Sequence, residues 1–78
     1  MSAESQVRQL IATTLKLPVE KVLPSARSGD PAAWDSLGQV NVIIALEQTF
    51  GIYIEPEDFA RIDSVAAILE YLRANDAA

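Results

Sequence analysis

The sequence predicts an all-α fold, a four-helix bundle of three longer helices and one short one. Apolar residues recur at three-and-four spacing in three separate stretches. Pro18, Pro24, Pro31, Gly29 and Gly51 fall between those stretches, and the alternating run Ile52-Tyr53-Ile54 suffices only for a short extended link.

The first helix is expected over about residues 3–17, where Val7, Leu10, Ile11 and Leu15 form one buried stripe. Pro18 cannot continue it, and a loop over 18–35 follows. Within the loop, Pro18-Val19-Glu20-Lys21-Val22 is expected to form one helical turn, with Pro18 in the first position, where a missing N–H costs nothing. Val22, Leu23 and Trp34 are expected to pin the loop to the core; a connection this long in a small domain points to function or to disorder.

The second helix is expected over about 36–50, closed by Gly51 in the left-handed position. At about 100° per residue it has two apolar faces. Val42, Ile43, Leu46 and Phe50 share one and are expected to be core. Leu37, Val40 and Ile44 lie on the other, beside Asn41, Glu47 and Gln48, and are expected to be a partly exposed contact strip unless the third helix or the loop covers them. Pro56-Glu57-Asp58-Phe59-Ala60-Arg61 reads as the short third helix, about 56–61, with proline and acids at its start. The fourth, about 64–74, is capped by Asp63 or Ser64 and carries Val65, Ile68, Leu69 and Leu72, before Asn75-Asp76-Ala77-Ala78 frays.

The chain's 78 residues make one domain, 1–78, with too little bulk for a catalytic cleft of the usual kind. No run approaches the roughly 20 apolar residues of a membrane span, and Met1-Ser2-Ala3-Glu4 lacks the basic and apolar regions of a secretory signal. A soluble, cytoplasmic monomer is expected. Six Lys and Arg against eleven Asp and Glu give a net charge of -5, which disfavours nucleic acid and anionic lipid and favours basic partners.

Zero cysteines exclude disulfides and thiolate metal sites, and zero histidines remove the commonest general base, so any thiol chemistry needs an added group. Glu55, Glu57, Asp58 and Asp63 miss the alternating ligand pattern of a calcium loop, and no metal site is expected. No base stands at a recognisable spacing from a serine, and no glycine-rich loop exists to cradle a nucleotide. No catalytic residue is assigned, and the chain is expected not to be an enzyme.

The chemistry concentrates in Trp34-Asp35-Ser36-Leu37, where the long loop becomes the second helix. The first N–H groups of a helix lack intrahelical partners and its dipole is positive there, so a phosphate ester on Ser36 would sit in a favourable field. Two readings stand side by side. Ser36-Leu37-Gly38-Gln39 matches a capping box, with Gln39 reaching back to the serine N–H; alternatively Asp35 caps the helix and leaves the Ser36 hydroxyl free for modification. Trp34 reads as a buried loop anchor in preference to a stacking platform for a bound group.

Asp35-Ser36-Leu37, the run Val42-Ile43-Ile44-Ala45-Leu46-Glu47 leading to Phe50-Gly51-Ile52, the acidic Glu55-Pro56-Glu57-Asp58 and Ser64-Val65 together resemble the acyl carrier proteins and peptidyl carrier domains, over nearly the whole chain. The resemblance implies a four-helix bundle of the acyl-carrier type in which Ser36, flanked by Asp35 and Leu37, receives 4'-phosphopantetheine from coenzyme A through a phosphopantetheinyl transferase. The arm's thiol would hold acyl or aminoacyl cargo, delivered by a loading ligase or synthase and passed to a downstream synthase or transferase. Leu37, Val40, Asn41, Ile44, Glu47 and Gln48 would form the partner face.

Two departures stand out. Glu47 is the only acid of the second helix, where fatty-acid carriers tend to be strongly acidic, and Phe59 puts a ring where a smaller residue would leave room for a lipid tail. A stand-alone carrier of a specialised pathway is the implied assignment. The competing readings are an unmodified helical adaptor of the same fold, binding partners through the second helix, and, less favoured without histidine, a small hydrolase using Ser36.

Overall fold

The computed structural model describes residues 2–75. Three α-helices, α1 (Ala3–Leu15), α2 (Ser36–Phe50) and α3 (Val65–Ala74), form the bundle with one 3₁₀ helix, Pro56–Arg61, and a 3₁₀ turn, Val19–Lys21, lies in the first loop. Among the described residues no strand occurs, as the helical periodicity required.

α1 opens on Ser2, whose Oγ accepts from the Ser5 N–H at 3.1 Å. It stops two residues short of the expected end. Leu17 precedes Pro18, and the residue before a proline is driven out of helical backbone. Lys16 therefore turns left-handed, with φ 61°, and its N–H and that of Leu17 return to the Ala12 and Thr13 carbonyls. α2 closes on Gly51 in the left-handed conformation, φ 65°, as its sequence foretold.

The core draws on the three α-helices and on the segments that flank the 3₁₀ helix. Val7, Ile11 and Ala12 of α1, Val42, Ile43 and Leu46 of α2, Ile54, Ile62, and Val65, Ile68 and Leu72 of α3 are at most 2% exposed. α1 packs against both α2 and α3. Phe50 is a partial correction: as the last residue of α2 it is half-buried at the core's edge instead of inside it.

The long loop is ordered by contacts along its length. Val22 is fully buried, and its carbonyl accepts from Arg8 Nε at 2.6 Å. Leu23, expected to be an anchor, is 55% exposed; Val22 and Trp34 fill the core on either side of it in sequence. Pro18 precedes the 3₁₀ turn as its extended cap and is not its first residue. Farther on, Ser28 N–H donates to Asp63 O at 2.7 Å and Val65 N–H to Ala26 O at 3.0 Å, which seats the loop on the start of α3. Ser64 caps α3 by accepting from the Ala67 N–H at 3.0 Å, which settles the choice between it and Asp63. Asn75 closes α3, its N–H returning to the Tyr71 and Leu72 carbonyls, where fraying was expected; Asp76, Ala77 and Ala78 lie outside the described residues.

Candidate functional site

The site is the junction of loop and α2, and its first question is which residue caps the helix. Asp35 does so: its Oδ1 accepts from the Gly38 N–H at 2.8 Å, and its carbonyl accepts from the Gln39 N–H at 2.8 Å. The alternative capping box through Ser36 and Gln39 is not formed, because Gln39 is engaged elsewhere. Its Oε1 accepts from Trp34 Nε1 at 2.6 Å, and its Nε2 donates to the carbonyls of Phe59 and Ile62, each at 3.0 Å.

Ser36 is consequently an exposed first-turn residue whose hydroxyl has no hydrogen-bond partner among the described residues. Trp34, wholly buried, is the loop anchor and is not open to a stacking ligand. Gly38 brings the start of α2 hard against the loop, since a Cβ there would meet the Ala33 carbonyl oxygen at 2.7 Å. Ser36 thus sits on a first turn fixed from three directions: by the Asp35 cap, by Gly38 packing and by the Trp34–Gln39 bond.

Beside Ser36 lies an open cleft of about 410 Å³ walled by Ser28, Gln39, Phe59, Ala60 and Asp63. The sequence points to Ser36 and Phe59 but not to Ser28, Ala60 or Asp63 as neighbours, and of its two readings of the cap the one through Asp35 is the one formed. The pairing of the loop with the start of α3 makes this juxtaposition, and it leaves no local pattern.

Along α2 from Ser36, Leu37 is 71% exposed and Val40 and Ile44 are each 45% exposed, so neither the loop nor the 3₁₀ helix covers the strip. Asn41 and Gln48 are exposed beside it. Glu47 is half-buried, and its Oε2 accepts from the Ile54 N–H at 2.9 Å, tying the end of α2 to the extended link. No cluster of acids capable of holding a metal occurs among the described residues, and no helix among them is long and apolar enough to cross a membrane.

A free hydroxyl on a positive helix end, with polar and apolar walls beside it, suits covalent attachment of a phosphate-linked group. The family model described as "Phosphopantetheine attachment site" matches residues 5–72. The chain is 35% identical over 74 residues to an acyl carrier protein of Desulforapulum autotrophicum, covering 94% of this chain and 96% of that protein. It is 32% identical over 71 residues to an acyl carrier protein of Buchnera aphidicola subsp. Schizaphis graminum, with 91% and 90% covered. An acyl carrier protein of Thermosynechococcus vestitus is 33% identical over 73 residues, with 94% and 90% covered.

Proposed function

The chain belongs to the phosphopantetheine-attachment family, as a carrier of acyl thioesters and not a catalyst, and we propose that Ser36 is the residue that bears its 4'-phosphopantetheine arm. The observation that carries this reading is the division of labour at the start of α2: Asp35 caps the helix, which leaves the exposed Ser36 hydroxyl uncommitted. The bound arm supplies a thiol, which this cysteine-free chain lacks.

The chain's own residues supply presentation. The Ser36 hydroxyl attacks the pantetheine-side phosphorus of the coenzyme A pyrophosphate and gives its proton to the transferase; the P–O bond to the other phosphate breaks, 3',5'-ADP leaves, and Ser36 is left as a phosphodiester. No acid follows the Asp35 cap in the first turn of α2, and that carboxylate takes the Gly38 N–H, so it is the remaining first-turn N–H groups that favour the phosphodiester charge. Leu37, Val40 and Ile44 form the docking strip for the transferase, the loading ligase or synthase and the downstream synthase, with Asn41, Glu47 and Gln48 at its margin. Because one Glu47 oxygen is bonded to the Ile54 N–H, its charge is shared between fold and partner. Cargo is acyl or aminoacyl, and a monomer working in the cytoplasm is the setting we propose.

Intact-mass analysis after incubation with coenzyme A and a broad-specificity transferase tests the assignment. Wild type gains the mass of the arm, and Ser36→Ala stays folded and gains nothing, since Asp35 still caps α2. Labelling of Ser36→Ala at the wild-type rate overturns it.

A further inference from the structure

The cleft beside Ser36 is walled by a side chain that ties two elements together. Gln39 is half-buried and uses its whole amide: the oxygen on the fully buried Trp34 indole, the nitrogen on the carbonyls of Phe59 and Ile62. Those carbonyls stand in and just after the last turn of the 3₁₀ helix, where helical backbone runs out of partners of its own. Gln39 satisfies them from the first turn of α2, and so the 3₁₀ helix is fastened to the element that carries Ser36.

We propose that Gln39 is a latch: by holding the 3₁₀ helix against α2, it confines cargo carried from Ser36 to the surface cleft and keeps it out of the bundle interior. The proposal rests on the Ser36 reading for the origin of the cargo. Moving the 3₁₀ helix off α2 would strand the Phe59 and Ile62 carbonyls, and moving Gln39 with it would leave the buried Trp34 N–H unpaired. Ile54, Ile62, Val65 and Ile68 stand in the interior at no more than 2% exposure, so an alkyl tail entering there has to displace packed side chains.

The cleft that remains is mixed in character. Phe59 and Ala60 offer apolar surface, and the Ser28 hydroxyl and Asp63 carboxyl offer hydrogen bonds. That lining fits a short acyl group bearing hydroxyl or amino functions better than a long saturated chain, whose burial needs continuous apolar walls. Gln39 is therefore a positioning residue that sets where the cargo lies.

The test loads an octanoyl chain in two ways. A transferase with octanoyl-coenzyme A places it on Ser36, with intact mass reporting attachment. Separately, Ser36→Cys, the sole thiol in a chain without cysteine, is alkylated with an octyl group on a linker of pantetheine length, so the latch is probed even without enzymatic loading. Gln39→Glu keeps the acceptor for Trp34 and removes both donors; Gln39→Met removes all three bonds without adding charge.

With Gln39 present, loaded and unloaded protein should melt within about 1 °C of each other, and the octyl methyl should show no nuclear Overhauser contact to the Ile54, Ile62 or Ile68 methyls. In each Gln39 variant the unloaded midpoint should fall, loading should raise it by about 4 °C or more, and those contacts should appear. Tail contacts with the core when Gln39 is present, or an equal response to loading with and without it, overturn the latch. Absence of mass gain from the transferase counts against the Ser36 reading alone.

Discussion

At Gly38 an added methyl group has nowhere to go, because a Cβ would lie 2.7 Å from the Ala33 carbonyl oxygen and 2.9 Å from Leu15 Cδ2. The leucine could yield, but the backbone oxygen belongs to the segment that delivers Asp35 to its cap. Gly38→Ala is therefore expected to destabilise the fold by about 1–3 kcal/mol despite alanine's better helix propensity. Urea unfolding should show a lower midpoint at unchanged slope, and transferase labelling of Ser36 should slow; a midpoint at or above wild type would mean the loop yields freely. Tyr71 offers a second residue-scale test. Burial of the phenol, then the Asp58 charge and its hydrogen bond at 3.4 Å, with Glu55 adding and Arg61 opposing, raises its pKa above 10.0. A proton held more tightly by the folded state stabilises fully below the unfolded value of 10.0 and is lost as pH rises through the folded value. Unfolding midpoints should fall above pH about 10 in wild type and fall less in Tyr71→Phe, and parallel curves for the two proteins would contradict this.

α2 has a buried core side and an exposed apolar side that we propose serves partners, and the two sides should respond to mutation in opposite ways. Leu46, 1% exposed among core side chains, should cost about 2–5 kcal/mol as alanine. Phe50→Ala should cost less than that, since the ring is only half-buried at the end of the helix. Val40→Asp and Ile44→Asp, each at a position 45% exposed, should leave the melting temperature within a few degrees of wild type. Both should nevertheless raise the transferase KM, because they put a charge on the proposed apolar docking strip. Thermal melts set beside steady-state labelling separate the outcomes; a large loss of stability with unchanged KM would show that the strip serves the fold.

For the whole molecule the question is how a carrier of net charge -5 finds its partners when α2 carries Glu47 as its only acid and no base. One Glu47 oxygen is engaged with the Ile54 N–H, so little of the molecule's charge is presented on the docking strip. Screening acts on exposed charges over about 10 Å at 0.1 M salt and leaves apolar contact untouched. The KM of the cognate loading enzyme should therefore change by less than about threefold between 0.05 and 0.5 M salt, and a loss of tenfold or more would assign docking to ion pairs. Replacing both Asn41 and Gln48 by Glu should raise the association rate with enzymes that present basic surfaces, such as a fatty-acid ketosynthase, and equal kinetics for variant and wild type would sink the charge account.

The helices were legible in the sequence because their causes are local. Three-and-four spacing put Val7 and Ile11, Val42 and Leu46, and Ile68 and Leu72 on buried stripes, and Gly51 marked the end of α2 through its own backbone freedom. The exposed run Leu37, Val40 and Ile44 was legible for the same reason, being the periodic face left after the core face is assigned. Tertiary structure alone decided what Gln39 does: locally it matches a reach-back cap, but carbonyls 20 and 23 residues away and the Trp34 indole offer it three bonds at once. The same holds for Leu23 turned outward, for the loop paired to the start of α3, and for Ser28 and Asp63 brought beside Ser36. Each depends on a partner from a distant element, and a contact between residues far apart in the chain leaves no periodicity in the residues that make it.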